Sequence, residues 1–179
     1  MTKNPIDQLL EEHVLIMEQI ALLRRAVKAL SAKGDKALAE TLPTFNQIGQ
    51  MMATQLDLHR RKEDEVFFPA IETVIGAPGP TGVMRQEHRD IHAQGVLLRE
   101  TLRELNEEQH PAIEAEAEKL RSLVSIGGSA DSLRKTGEEI IYLLDLHFGK
   151  EEEILFPMAR NLLDEESLGR IAEQFEAME

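Results

Sequence analysis

The stretch HRRKEDEVFFP (His59–Pro69) is written a second time as HFGKEEEILFP (His147–Pro157), with His, Lys, Glu, a further Glu, Phe and Pro at matching offsets. In both copies a histidine heads the segment and a glutamate follows four residues later. On a helix that spacing puts the two side chains on one face. The flanking residues say which face. Phe45, Ile48, Met52, Leu56, His59, Glu63 and Val66 advance in threes and fours, as do Leu133, Ile140, Leu144, His147, Glu151, Ile154 and Met158. His and Glu thus stand where the period asks for core residues.

Two further runs carry the same anomaly. Ile6, Leu9, His13, Ile16, Ile20, Leu23, Val27 and Leu30 form one; Met84, His88, Ile91, Gly95, Leu98, Leu102 and Leu105 form the other. His92 follows His88 by one turn on nearly the same face. The halves align further, EEHVLIMEQI (11–20) against QEHRDIHAQG (86–95), with Met17 opposite His92. The four runs predict an all-α fold, an antiparallel up-down four-helix bundle made of two hairpins. The arms from each histidine to its turn are almost equal, so the histidines fall on one layer. Asn4 is expected to cap the first helix, with Pro5 at its first position and Gly34 as its stop. Residues 35–42 read as a lead-in that Pro43 separates from the second helix, and GAPGPTG (76–82) as a turn. A connecting helix is expected at 111–126 and a short C-terminal helix after Asp164. One domain spans 1–179, with a core at about 6–160 and an extension at 161–179.

Composition narrows the function. A net charge of −13 argues against nucleic acid, whose phosphates require clustered Lys and Arg. No apolar run reaches membrane-span length, and the N-terminus does not read as a secretory signal, so a cytoplasmic location away from membranes is expected. Without cysteine, any metal is held by nitrogen and oxygen.

One histidine in an apolar stripe is more often a hydrogen-bonded core residue than a ligand. Five imidazoles and two carboxylates together are different. Left without partners, each would cost about 1–3 kcal/mol, and more when charged, against a domain stability of roughly 5–15 kcal/mol. A metal takes up their lone pairs. Imidazole with carboxylate in a bundle core suits iron, manganese or zinc, and the doubling suggests two ions. Other residues read as ordinary: His110 as an exposed loop residue, Met51 and Met52 as core, Tyr142 as packed, and Arg60, Arg61 and Lys62 as a basic surface patch. Asp64, Glu65, Glu152 and Glu153 read as a solvated face from which some side chains support the ligands. Phe67, Phe68 and Phe156 are expected to close the bundle end.

The set of motifs resembles the hemerythrin-like (HHE cation-binding) family over most of the chain. The resemblance implies a non-haem centre of two iron ions with a bridging oxygen, zinc or manganese being possible substitutes. It implies His13 and His59 on one iron, His88, His92 and His147 on the other, and Glu63 and Glu151 shared. One departure is a Glu four residues after the last-helix His, where oxygen-carrying hemerythrins place an Asp five residues after. With His92 bound, one coordination position stays open for a small molecule such as O2, NO or peroxide; without it, two do. The resemblance leaves a binder for storage, sensing or delivery beside a di-iron enzyme of oxidase, peroxidase or cluster-repair type. A bundle using zinc for stability alone is the third possibility.

Overall fold

A computed structural model describes residues 3–77, 79–108 and 129–179. Among the described residues the chain is helical throughout, and four long rods form the bundle. The first is α1 (Pro5–Lys33), started by the Asn4 side chain accepting from the Ile6 amide and stopped at Gly34, whose φ of 56° suits glycine. A 3₁₀ turn (Gly34–Ala37) leads into the second rod, which comprises α2 (Leu38–Ala53), α3 (Gln55–Lys62), a π-helical turn (Glu63–Phe67) and α4 (Phe68–Ile75). The third is α5 (Pro80–Glu108). The fourth is α6 (Ser129–Lys150), a second π-helical turn (Glu151–Leu155) and α7 (Phe156–Leu162). A last helix, α8 (Glu165–Glu176), starts where the Asp164 side chain accepts from the Ser167 amide. The rods pack in a ring, α1 beside α2 and α6, and α5 beside the same two. The expected helix at 111–126 and His110 lie outside the described residues.

Three expectations need correction. Pro43 lies inside α2 rather than before it. Its ring is exposed, so the carbonyl it leaves without a helical donor faces water and the helix runs on. Tyr142 is 60% exposed instead of packed. Third, the core face after each glutamate is displaced by one residue. Phe67, Phe68 and Ile71 are buried where the period named Val66, and Leu155, Phe156 and Ala159 where it named Ile154 and Met158.

The π turns cause that displacement. The Phe68 amide reaches back five residues to the Glu63 carbonyl, and Phe156 likewise to Glu151. Each turn precedes a proline, Pro69 or Pro157, which cannot donate to the ladder. A π turn holds more residues than an α turn, so the apolar stripe slips and the glutamate at its start is re-aimed. Arg85 Nη1 donates to the Asp64 carbonyl at 2.7 Å, satisfying an oxygen that Pro69 would otherwise leave without a donor.

The His and Glu layer divides two apolar clusters. One fills the long half of the bundle around Leu23, Phe45, Ile48, Leu98 and Leu144. The other gathers Phe67, Phe68 and Phe156, the residues expected at the bundle end, with Ile171 and Phe175 of α8. In the first cluster α6 crosses close to α1 at Gly137, where a Cβ would lie 2.6 Å from Val27 Cγ2. Gly137→Ala is expected to cost about 1–3 kcal/mol through overpacking against a stiff side chain. Gly49 holds the equivalent place in the other hairpin, and its nearest neighbour would be Leu102 Cδ1 at 3.5 Å. Gly49→Ala should therefore be neutral or gain up to about 1 kcal/mol of helix propensity. Thermal melts of the two variants check the contrast.

Candidate metal centre

Four histidines reach the layer from four helices: His13 from α1, His59 from α3, His88 from α5 and His147 from α6. All are at most 4% exposed, while Glu63 and Glu151 are fully buried. Their ligand atoms form two overlapping groups, His13, His59, Glu63, Glu151 and Glu63, His88, His147, Glu151, each drawn together within 4.8 Å. His13 Nε2 lies 3.1 Å from His59 Nε2, and His88 Nε2 lies 3.0 Å from His147 Nε2. The glutamates join the pairs. Glu63 Oε2 is 3.5 Å from His59 Nε2 and 3.2 Å from His88 Nε2. Glu151 places Oε2 at 3.2 Å from His13 and Oε1 at 3.3 Å from His147.

His92 is not among these atoms. Its side chain is exposed. The buried stripe of α5 runs through His88, Ile91, Gly95 and Leu98. At about 100° per residue, position 92 turns off that stripe towards solvent.

The other ring nitrogens are all engaged, and the pattern is doubled. His59 Nδ1 meets Glu12 at 2.8 Å and His147 Nδ1 meets Glu87 at 3.1 Å. His13 Nδ1 meets Glu152 at 2.8 Å and His88 Nδ1 meets Asp64 at 2.9 Å. The glutamates before His13 and His88 turn away from their own histidine and serve the neighbouring helix. Each also takes a lysine: Lys62 Nζ donates to Glu12 at 2.7 Å, and Lys150 donates to Glu87. Lys62 is not the surface residue expected, being 1% exposed; it also reaches Glu179 at 2.8 Å and lies over the Phe175 ring. The C-terminal residues cover it. Sequence reasoning missed Glu12, Glu87, Lys62 and Lys150 as supports, although Glu-His and Lys-Glu stand in both copies. Of the four acids read as a solvated face, the half-buried Asp64 and the exposed Glu152 meet ring nitrogens of His88 and His13, while Glu65 and Glu153 are exposed and meet none.

A carboxylate on each Nδ1 fixes that nitrogen as the donor, so Nε2 turns its lone pair inward. Both oxygens of Glu63 and both of Glu151 are buried without a hydrogen-bond donor. Burial pushes the Glu151 carboxyl up to about 8, repulsion from Glu63 adding to the rise, and burial raises Glu63 too. Burial lowers His59; it drives His147 well below its usual value, with help from positive charge on His88. On His88 burial acts downward, but Asp64 and Glu63 outweigh it and hold the ring at about 9. The facing Nε2 atoms of His88 and His147, 3.0 Å apart, cannot both carry a proton. A cation in this layer would lie against these lone pairs and satisfy the four oxygens. The residues therefore fit a metal, and the donor set, imidazole nitrogen with carboxylate oxygen, suits iron, manganese or zinc.

The bundle and its layer bring together His and Glu groups that could hold cations. The description "Hemerythrin HHE cation binding domain" matches residues 4–125 and 101–179, and the chain belongs to that family. No curated protein matches the chain. Among the described residues no helix is long and apolar enough to cross a membrane.

Proposed function

We propose that the chain holds two iron ions, one between His13 and His59 and one between His88 and His147, with Glu63 and Glu151 shared, and that a small molecule such as O2 or NO binds there. The observation that carries this reading is the set of four donorless carboxylate oxygens facing four inward Nε2 atoms. Iron would supply a changeable oxidation state and open positions for the small molecule. The protein's own groups do the rest. Glu12, Glu87, Asp64 and Glu152 hold the imidazoles in one tautomer. Phe148 stacks on His13 at 3.8 Å and Phe68 on His88 at 5.6 Å, fixing the rings and excluding water.

The di-iron enzyme is the second reading, and the exposure of His92 favours it: four imidazoles in place of five leave more positions open. Elemental analysis and optical spectra of anaerobically purified protein, before and after air, test the proposal. Two iron ions per chain and a reversible spectral change on adding O2 are expected for a binder. Turnover of peroxide favours the enzyme. A single ion in fully loaded protein rejects the two-metal centre.

A further inference from the structure

The two half-sites share their ligands and supports but not their surroundings. Beside His88 and His147 lies a cavity of about 20 Å³, lined among others by Met52, Ile91, Gly95 and His92. That is room for about one water-sized molecule. Outside it a groove of about 460 Å³ runs past Arg60, Asp64, Arg85 and Arg89 and shares Arg60, His88 and His92 with the cavity, so the two adjoin.

The repeat shows what stands at the corresponding places around His13 and His59. Gly95 aligns with Ile20, which is fully buried. Arg60 aligns with Phe148, which is 3% exposed and stacks on His13. His92 aligns with Met17, which packs against the core. Met52 and Ile91 keep apolar counterparts in Ile140 and Ile16. The differences therefore all act in one direction: Ile20, Phe148 and Met17 put apolar side chains around the first half-site, where the second has a glycine, an arginine held by Asp57 and Asp64, and an exposed imidazole.

We infer that the small ligand is taken up on one side only, through the groove between α3 and α5 into the pocket left by Gly95, beside His88 and His147, with His92 lining the mouth rather than binding metal. The ligand class is a diatomic or similarly small molecule, matching a cavity with room for about one water-sized molecule. This rests on the metal-centre reading for what the ligand meets, but the pocket is a property of the protein alone.

The test uses molecular O2 as a paramagnetic probe in the zinc-loaded or metal-free protein, so no iron chemistry is needed. Dissolved O2 at raised pressure should relax the methyl protons of Met52 and Ile91 more than those of Ile140 and Ile16. The excess should be lost in Gly95→Ile, which writes the residue of the first half into the second. Gly95→Ala is the variant certain to keep the helix, since its Cβ would meet the flexible end of Met52 at 3.2 Å. It should lose most of the excess too. Equal relaxation of the two halves in wild type, or an excess that survives in both variants, overturns the inference. In a second arm, iron-loaded Gly95→Ile should keep the wild-type iron content and lose NO binding, whereas His92→Ala keeps both ions. Unchanged NO binding by Gly95→Ile overturns the route. If no protein takes up iron, the proposed function falls, and the relaxation contrast alone decides the pocket.

Discussion

Glu151→Gln is expected to melt higher than wild type when both are metal-free, and to lose most of the stabilisation that metal gives wild type. The opposite signs follow from one geometry. In the metal-free protein Glu151 is a fully buried carboxyl beside Glu63, with both oxygens donorless. The amide removes the charge and can donate to a histidine nitrogen. Relief of such a group is worth about 1–3 kcal/mol, or roughly 2–4 °C per kcal/mol for a chain of this size. In the loaded protein the amide nitrogen cannot serve in place of one carboxylate oxygen, so one of the two proposed ions loses a donor and the other keeps a weaker, uncharged one. A ligand held at a thousand times its dissociation constant adds about 4 kcal/mol to folding, and most of that should vanish. The measurement is a pair of melts for each protein, with metal and with chelator. A drop of equal size in both states would make Glu151 an ordinary core residue. Glu63→Ala should likewise lower the loaded form more than the metal-free form.

The second expectation compares Glu12→Ala with Glu87→Ala. Each removes the carboxylate on a ligand's Nδ1, so each should weaken metal binding by about 10–100-fold. Their effects on stability should differ. Glu12 also holds Lys62, a side chain 1% exposed, and its loss leaves that ammonium with Glu179 alone. Breaking a buried pair from one side costs about 3–5 kcal/mol, and the remaining Glu179 places this case near the lower end. Lys150 is 33% exposed and hydrates once Glu87 is gone, so that pair contributes about 0–1 kcal/mol. Denaturant titration in chelator, beside metal titration of the folded proteins, separates the two roles. Equal stability losses would show that the C-terminal residues do not bury Lys62.

The bundle was legible in the sequence because one period ran through four segments and each broke it at a histidine. The six residues of the layer were legible for the same reason, since a repeated violation of the apolar pattern marks a shared layer. His92 was not. A residue four positions on lies about 40° around the helix, and only the neighbouring rods decide whether that offset faces a cavity or solvent. Lys62 depended on α8 folding over it, which no spacing around Lys62 encodes. The Nδ1 partners come from other helices, so local order named the acids without pairing them. The prolines at 69 and 157 announced a change in the ladder, but its form, a π turn that slips the core by one residue, needed coordinates.

The way the carboxylates cross between hairpins bears on how the protein comes into being. Glu63 in the first hairpin touches His88 in the second, and Glu151 in the second touches His13 in the first. The supports cross as well: Asp64 serves His88 and Glu152 serves His13. A nascent chain that has emerged only as far as α4 therefore holds Glu63 without its distant imidazole, and His13 without either of its acids. Neither hairpin is a finished half. The layer closes only once α6 and its π turn have left the ribosome, so any metal held by all six residues would be loaded after both hairpins are made.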